Sequence, residues 1–381
     1  MAEKNSIYVI CKPLNNCNQN CSYCFDKQFH DKEAKVLDKQ IIYDFFTKIV
    51  GDFEYVEWCW HGGEPLLVGT EWFEDVMFNL NKIREKYVRQ VRFYMQTNVT
   101  LWNDEWAAIC ARYNIIISSS YDIDTSFRSY NYKDNKSTRS LNIVLTKNNI
   151  DNLIDMYKNF NKKNMDINYI FPYETNLYNI EDILGDKEYA IKKYVEFLDF
   201  YLRENGCRNM ERSANSWINI ANGNDGLSCV HSRCWEENIV VLSNDGSIWK
   251  CDNKGSDLLR IGNYDTFNKY YNLDLYKLND YMNTPKECEN CELRLTCGFG
   301  CLNCRIQTDG PEHPYKFHCE MAKTIVPHLF NQIRELSPND LLKLSFQAKQ
   351  LLMGGFYLPE SIMERLWKQY LSISQTSTEK H

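Results

Sequence analysis

The sequence predicts an α/β fold: a partial (β/α)6 TIM-type barrel, followed by a small cysteine-rich domain and C-terminal helices. Over about the first 205 residues, short β-rich runs alternate with amphipathic helical stretches, which is typical of a parallel sheet covered by helices. The cysteines are clustered, with four between Cys11 and Cys24 and nine between Cys229 and Cys319. Thiols that serve only packing would be scattered along the chain, so these clusters indicate metal binding.

The predicted barrel strands are short runs rich in β-branched and aromatic residues. They cover Ile7–Cys11, Tyr55–Trp60, Val91–Gln96, Ile115–Ser120, Leu141–Leu145 and Ile167–Phe171. Apolar residues at helical spacing predict helices near residues 36–49, 150–160 and 194–201. The connection from Tyr121 to Arg139 is polar and irregular, which predicts that one crossover helix is missing. Six strands are too few for an eight-stranded barrel and suit an open, partial one.

Three regions follow from this pattern: a barrel at residues 1–205, a cysteine-rich domain at 206–325 and a helical segment at 326–381. In the second region, strands at 239–242 and 247–250 flank the hairpin turn Asn244-Asp245-Gly246. Apolar side chains are too few there for an ordinary core, so metal centres are expected to supply the cross-links. In the third region, Ser337–Asp340 predicts a helix start, Gly354-Gly355 a stop, and the polar tail is expected to be disordered.

The composition, with 44% hydrophobic and 25% charged residues, is ordinary for a globular protein. The net charge of −7 and the lack of a Lys/Arg block predict no nucleic-acid partner. No segment reaches the roughly 18–20 apolar residues that span a bilayer, and the N-terminus does not resemble a secretory signal. We therefore expect a cytoplasmic protein without a membrane partner, whose sixteen cysteines stay reduced and can bind metal.

Cys17, Cys21 and Cys24 lie in a polar loop directly after the first strand. A four-iron cluster has four metal corners, so three thiolates leave one iron open for a substrate or cofactor. Sites with four cysteines are closed electron carriers or structural sites, which makes a set of three informative. The alternative is a zinc site whose fourth ligand is His30 or Cys11.

The spacing C-x3-C-x-aromatic-C after the first strand of a β/α barrel resembles the signature of radical S-adenosylmethionine (SAM) enzymes, with Tyr23 in the aromatic position. By that resemblance, the amino and carboxylate groups of SAM chelate the open iron. An electron from the reduced cluster then breaks a carbon–sulfur bond, giving methionine and a 5′-deoxyadenosyl radical that abstracts a substrate hydrogen atom. The resemblance implies an enzyme that receives electrons from a reductant such as flavodoxin or ferredoxin.

Further motifs of this family follow in the expected order. The end of the second strand resembles the GGEP motif that binds the amino end of SAM, and its residues are Gly62, Gly63, Glu64 and Pro65. Glycines allow the backbone to approach a ligand closely, and barrel active sites lie at the carboxyl ends of strands. Gln96-Thr97-Asn98 resembles the QTN segment of sulfatase-maturase-like members. Ser120-Tyr121-Asp122 resembles their S-x-D segment, whose serine reaches the ribose, and Phe171-Pro172 resembles the exit of their final strand.

Several candidate site residues have two interpretations. Asn98 or Ser120 could equally be a turn cap. Family members usually carry an arginine for the SAM carboxylate on a helix after S-x-D, and that region is short here. Arg128 is the first candidate and Arg139 the second. Asp122 and Glu174, at strand exits, are candidates for a general base, and either could be structural.

The second cysteine series resembles the SPASM extension of radical SAM enzymes that modify peptides and proteins. By that resemblance, one auxiliary four-iron cluster is bound by Cys229, Cys234, Cys251 and Cys301, and the other by Cys288, Cys291, Cys297 and Cys319. The chain would then hold three [4Fe-4S] clusters, and the alternative is one auxiliary cluster plus an open or zinc site. Five cysteines remain: Cys11, Cys59, Cys110, Cys207 and Cys304. Cys59 and Cys110 are expected in the core, whereas Cys304 could exchange with a ligand.

Fully ligated auxiliary clusters would take up an electron from the substrate radical, which favours net oxidation. Members with this extension include sulfatase maturases, which form formylglycine, and maturases that cross-link, epimerise or cleave ribosomal peptides. The leading hypothesis is therefore oxidative modification of a peptide or protein side chain. Small-molecule dehydrogenation is the alternative, and a non-catalytic zinc-stabilised binding module is disfavoured because the SAM motifs would have no role. Since the first strand starts near residue 7, we expect leader recognition by a separate protein or by the barrel mouth and the segment after Cys319.

Overall fold

The computed structural model describes residues 5–30, 35–87, 89–121, 138–174, 179–204, 207–222, 238–269, 275–294 and 297–334, with 344, 348 and 351–352. Its strands are β1 (Ser6–Cys11), β2 (Tyr55–Trp60), β3 (Gln90–Thr97), β4 (Ile115–Tyr121), β5 (Thr138–Val144), β6 (Asp166–Ile170), β7 (Ile239–Leu242), β8 (Ser247–Trp249) and β9 (Arg260–Asn263). In the described part of the chain these form one sheet of order β6-β5-β4-β3-β2-β1-β7-β8-β9.

The α-helices are α1 (Lys39–Asp52), α2 (Thr70–Glu85), α3 (Asp104–Arg112), α4 (Leu153–Lys162), α5 (Ile180–Leu184), α6 (Lys187–Arg203), α7 (Arg212–Ala221), α8 (Leu275–Met282) and α9 (Lys316–Arg334). Short 3-10 turns precede several of them, and Leu302–Cys304 forms one further turn of helix. None of the helices in the described ranges is long and apolar enough to cross a membrane. The predicted helix start at 337–340, the stop at 354–355 and the polar tail lie outside the described residues.

Strands β1 to β6 are parallel and neighbour one another in chain order, which confirms the predicted partial barrel. Alternate residues of each strand face the helices and form a buried aromatic core. For example, the ring centroids of Phe46 and Trp58 lie 5.3 Å apart, and those of Trp60 and Phe73 lie 5.2 Å apart. The opposite face is more polar and half-exposed. The sheet thus presents a polar concave face while its helix-facing side supplies the hydrophobic stability.

Strand β7 lies beside β1 and parallel to it, with Tyr8 opposite Ile239 and Cys11 opposite Leu242. Strands β8 and β9 then add in antiparallel fashion. The predicted hairpin is therefore present, but it extends the barrel sheet. As a result, the cysteine-rich part of the chain begins directly next to the strand that leads into the first cysteine loop.

Glu211 lies at the other edge of the sheet, beside β6. It directly precedes α7 and is fully buried. Its carboxylate accepts hydrogen bonds from the Tyr169 N–H (2.7 Å), the Ala214 N–H (2.5 Å), the Ser213 N–H (3.2 Å) and the Tyr194 hydroxyl (3.0 Å). Burial raises the pKa of Glu211 to about 7, although these hydrogen bonds oppose the shift. One carboxyl group thus joins β6, α6 and α7.

Because its folded-state pKa is raised, Glu211 binds its proton more tightly in the folded chain than in the unfolded one. Its contribution to stability is therefore fully present below about pH 4.5 and declines as the pH rises through about 7. We expect the free energy of unfolding to lose up to about 3 kcal/mol from this group over that range. Glu211→Gln should abolish this decline in urea unfolding followed by tryptophan fluorescence at several pH values. An unchanged pH dependence in the variant would contradict the assignment.

Candidate active site

Two glycines at the exit of β2 pack against the loop that follows β1. A Cβ atom on Gly63 would lie 2.0 Å from the Asn16 carbonyl oxygen, and one on Gly62, whose φ is +113°, would lie 2.4 Å from the Leu14 carbonyl oxygen. Two backbone hydrogen bonds join the loops, from the Gly63 N–H to Leu14 (3.2 Å) and from the Glu64 N–H to Asn16 (2.9 Å). The glycines are therefore needed for a close approach of two backbones, directly beside the cysteine triad.

Gly63→Ala should displace the loop at residues 12–16, because the clashing atoms belong to the backbone and cannot rotate away. We expect a loss of about 1–3 kcal/mol in stability and weaker retention of iron by the triad. The measurements are thermal unfolding and iron content after anaerobic reconstitution. Gly51→Ala is the matched control, since its added Cβ would meet only a Tyr87 carbon, at 3.9 Å. Equal iron content in the two variants would contradict the close-packing argument.

The triad thiols occupy one half-buried loop. The Cys17 sulfur accepts a hydrogen bond from the Gln19 N–H (3.4 Å), and a backbone hydrogen bond from Cys24 to Cys21 closes a turn (3.3 Å). Burial raises the pKa of Cys17 to about 11, and the nearby thiols of Cys21 and Cys24 add to the shift. The three sulfurs thus lie close enough to interact electrostatically. Three soft sulfur donors in one loop fit the ligand chemistry of an iron–sulfur cluster.

Three cysteines outside the predicted ligand sets are buried near the barrel sheet. Cys11 is fully buried in the core between the sheet and its helices, which disfavours it as a fourth ligand of the triad. Within the described ranges, no three His, Cys, Asp or Glu side chains converge on a position for a single metal ion. Cys59 and Cys110 are buried as well, as predicted for core residues.

Glu64 connects the exits of β2 and β3. Its side chain is only 1% exposed, and one carboxylate oxygen accepts hydrogen bonds from the Leu66 N–H (3.0 Å) and the Thr97 hydroxyl (2.6 Å). The other oxygen accepts from the Asn98 N–H (2.7 Å). Glu64, predicted as a cofactor-binding residue, is thus engaged in holding the GGEP and QTN loops together. Pro65 begins the 3-10 turn that follows and is buried.

Asn98 contacts the cysteine loop directly. Its amide nitrogen donates to Asn18 Oδ1 (2.9 Å) and lies 3.7 Å from the Cys17 sulfur, while its Oδ1 accepts from the Thr100 N–H (3.0 Å). The next residue, Val99, has φ of +55°, which is a strained conformation for a β-branched side chain. Asn98 therefore both caps a turn and fixes the position of the first thiol.

A row of polar side chains, the amide ladder, crosses the concave face from β3 to α7. The Gln96 amide donates to Ser120 Oγ (3.0 Å) and accepts from Asn142 (2.8 Å). Asn142 in turn accepts from Asn168 (3.1 Å), which accepts from the Ser213 hydroxyl (3.2 Å). All five side chains are half-exposed. Each amide uses one N–H in the ladder, so its second N–H remains for a ligand in the barrel.

An ion cluster, formed by the buried Lys12 and Asp26 and the half-buried Asp252 and His61, lies at the carboxyl end of β1. The Lys12 ammonium contacts Asp26 Oδ1 (2.9 Å) and Asp252 Oδ1 (2.8 Å), and His61 Nδ1 lies 3.8 Å from Asp252 Oδ2. Burial pushes the pKa of Asp252 up, but Lys12 and then His61 outweigh it and hold the pKa below its usual value. Sequence reasoning missed Lys12 and Asp252. The available signals were a lysine directly after a buried strand and an aspartate directly after Cys251.

The thiols of one predicted auxiliary ligand set, Cys288, Cys291, Cys297 and Cys319, lie within electrostatic range of one another. Burial raises the pKa of Cys288 to about 11, and the thiols of Cys297, Cys319 and Cys291 each add to the shift. A backbone hydrogen bond from Cys291 to Cys288 (3.1 Å) holds the first pair, and Cys319 comes from α9. Four thiols from a loop and a helix thus interact with one another.

The other predicted set is described only in part, because Cys229 and Cys234 lie outside the described residues. The Asn303 amide lies 3.6 Å from the Cys251 sulfur. A hydrogen bond from the Cys304 thiol is the main cause that lowers the pKa of Cys301. Cys304 is therefore a neighbour of one predicted ligand.

The remaining predicted site residues are placed as follows. Asp122 and Arg128 lie outside the described residues, and Arg139 is exposed on β5. Tyr23 is half-buried within the cysteine loop. The Glu174 backbone N–H donates to the Tyr315 hydroxyl (3.2 Å), and burial raises the pKa of the Glu174 carboxyl. Glu174 thus lies next to the cysteine-rich region, at the exit of β6.

Comparison with known proteins identifies related sequences. The family model described as the radical SAM superfamily matches residues 11–186. A cysteine-type anaerobic sulfatase-maturating enzyme of Clostridium perfringens (strain ATCC 13124) is 23% identical over 374 residues, which covers 87% of this chain and 98% of that protein. A serine-type anaerobic sulfatase-maturating enzyme of Klebsiella aerogenes is 22% identical over 334 residues, which covers 77% of this chain and 79% of that protein.

Solved structures show the same fold. The protein anSMEcpe with bound AdoMet matches with a TM-score of 0.72 and 21% sequence identity, over 88% of this chain and 99% of that one. The same protein with bound AdoMet and a Cp18Cys peptide matches with a TM-score of 0.71, over 88% and 99% of the two chains. The likeness extends beyond the six parallel strands, because it covers most of both chains.

Proposed function

We propose that this chain is a radical SAM enzyme, a maturase that oxidises a side chain of a peptide or protein substrate; the radical SAM superfamily model matches its residues 11–186. The main support is the meeting of three loops at the carboxyl edge of the sheet. The cysteine triad, the glycine pair at the β2 exit and Asn98 at the β3 exit are joined by direct hydrogen bonds and close backbone contacts. This edge is where β/α barrels hold their active sites.

We assign the first cluster to Cys17, Cys21 and Cys24. When bound there, a reduced four-iron cluster and SAM supply the radical that removes a hydrogen atom from the substrate. Around them, the backbone at Gly62 and Gly63 offers a close approach for the amino end of SAM. Asn98 and Ser120 offer polar groups beside it, and Glu64 keeps these loops in register. Arg128 remains the candidate for the SAM carboxylate.

We assign a second cluster to Cys288, Cys291, Cys297 and Cys319, and a third to Cys251 and Cys301 together with Cys229 and Cys234. A two-electron oxidation of a side chain removes one hydrogen atom, one electron and one proton. The electron needs an acceptor other than the radical, and the interacting thiols of the second set are suited to hold a metal centre with that role. Asp252, held ionised by Lys12, is a better candidate than Glu174 to receive the proton.

A peptide is the proposed substrate, with formylglycine formation or a cross-link as the proposed product. Relatives across most of the chain length are sulfatase-maturating enzymes, and anSMEcpe was solved with a bound peptide. The amide ladder, with donors and acceptors along the concave face, is chemically suited to a peptide backbone or a ribose. We further propose a cytoplasmic location, a flavodoxin or ferredoxin reductant and, for a substrate with a leader, a separate recognition protein.

The proposal is tested with anaerobically reconstituted, dithionite-reduced protein, SAM, and cysteine- or serine-containing peptides from sulfatases of the same genome. Roughly twelve irons per chain, 5′-deoxyadenosine formation and a mass loss on the peptide support it. Stoichiometric zinc without visible absorption would overturn the radical assignment. SAM cleavage with oxidation of a small alcohol and no peptide turnover would instead support small-molecule dehydrogenation.

A further inference from the structure

The ion cluster around Lys12 joins two parts of the chain that are far apart in sequence. Lys12 follows β1 directly, and its side chain is 0% exposed. Its ammonium donates hydrogen bonds to Asp26 Oδ1 (2.9 Å) and to the Asp252 backbone oxygen (2.9 Å), and it forms an ion pair with Asp252 Oδ1 (2.8 Å). The ammonium is thus held by residues 14 and 240 positions away in the sequence.

The two carboxylates come from the segments that carry cysteines. Asp26 follows Cys24 by two residues, and Asp252 directly follows Cys251. A second buried hydrogen bond, from the Asn15 amide to Asn244 Oδ1 (2.7 Å), joins the same two regions. Lys12 therefore joins the first cysteine loop to the Cys251 segment. The other carboxylate oxygen of Asp252, Oδ2, lies 3.8 Å from His61 Nδ1.

The two aspartates keep Lys12 in its charged form. Burial alone would lower the pKa of Lys12, but Asp252 and Asp26 outweigh burial and hold the pKa above its usual value, so the cation is retained. Removal of the cation would leave the buried Asp26 and the half-buried Asp252 carboxylates close together without a counter-charge. Like charges in such a place repel, and the loops that carry them would separate. An arginine could keep the charge, whereas an apolar residue could not.

We propose that Lys12 is a positioning residue, which sets the placement of the first cysteine loop relative to the Cys251 segment. This inference rests on the proposed function. It predicts that loss of Lys12 uncouples the two halves of the reaction. SAM is still cleaved, but the substrate side chain is no longer held in a position where it can be oxidised.

The test compares Lys12→Met and Lys12→Arg with the matched control Lys48→Met. Lys48 also binds the C-terminal half, through the carbonyl oxygens of Tyr264 (3.1 Å) and Asp265 (2.6 Å), but contacts no residue next to a predicted ligand. In Lys12→Met, the ratio of 5′-deoxyadenosine to oxidised peptide should rise by about 10–100-fold. Lys12→Arg should recover most of the coupling, and Lys48→Met should keep the wild-type ratio. A wild-type ratio in Lys12→Met would overturn the proposal, as would equal loss in all three variants.

A second readout does not depend on turnover or on the clusters. In the metal-free full chain, pulsed alkylation followed by mass spectrometry reports the accessibility of each thiol. Lys12→Met should raise the alkylation rates of both Cys24 and Cys251, and leave that of Cys288 unchanged. Asp26→Asn, which weakens only one contact, should raise the rate of Cys24 alone and serves if Lys12→Met fails to fold. Unchanged rates would refute the positioning role even if the enzyme proves to be a maturase. Raised rates without peptide oxidation by the wild type would instead count against the proposed function.

Discussion

Simultaneous replacement of Cys17, Cys21 and Cys24 by alanine is expected to abolish SAM cleavage while both auxiliary clusters remain. The three sulfurs interact within one loop, and the auxiliary thiols of Cys288 and its neighbours lie in a separate group. The loop itself is held by contacts that do not involve sulfur, such as the backbone bonds to the β2 exit. Loss of the thiols should therefore remove one cluster without unfolding the barrel.

The measurements are 5′-deoxyadenosine by liquid chromatography and iron per chain, which should fall from roughly twelve to roughly eight. Cys110→Ala is the control, because this thiol is buried in an apolar core that contains none of the predicted ligands. It should lose some stability and keep its iron and its cleavage activity. Residual cleavage in the triple variant would show that another site binds SAM, and the assignment of the triad would be wrong.

Local sequence patterns were sufficient for the barrel strands. The predicted strand Tyr55–Trp60 coincides with β2, since its apolar residues alternate toward the helices and Gly62 ends it with a positive φ. The proximity of GGEP to the cysteine triad was also predictable, because parallel strands end at the same edge of a sheet. Their close backbone contact follows from the two glycines. These features depend on neighbours in sequence or on one general rule of topology.

Long-range pairings were not predictable in the same way. The pairing of β7 with β1 joins residues more than two hundred positions apart, and nothing in Ile239–Leu242 indicates which strand it pairs with. The contact of Lys12 with Asp252 depends on that strand pairing, because β7 and β8 bring the Cys251 segment to the end of β1. Glu64 is a similar case. The sequence predicted that it binds the cofactor, whereas its hydrogen bonds with Thr97 and Asn98 are visible only in the structure. Charged residues carry no local signal for the partner that will satisfy them.

Cys319→Ala is expected to leave SAM cleavage intact and to suppress oxidation of the peptide. Cys319 is supplied by α9, whereas Cys288, Cys291 and Cys297 are supplied by the loop before it, so its thiol connects two elements as well as completing the set. Without it the second cluster should be lost or become labile, and iron should fall from roughly twelve to roughly eight per chain. The thermal midpoint should fall too, because a metal cross-link between loop and helix is removed.

Cys304→Ala provides the matched comparison, because Cys304 lies in the same region, is buried, and is excluded from both predicted ligand sets. Its thiol donates a hydrogen bond to Cys301. Its loss should therefore change the surroundings of the proposed third cluster without releasing iron. If Cys304→Ala loses as much iron as Cys319→Ala, Cys304 is a ligand and the predicted sets must be redrawn. If Cys319→Ala oxidises peptide at the wild-type rate, the electron leaves the substrate by a route that does not involve this set. The two variants together separate the ligand assignment from the proposed electron path, because iron content reports the first and the ratio of 5′-deoxyadenosine to oxidised peptide reports the second.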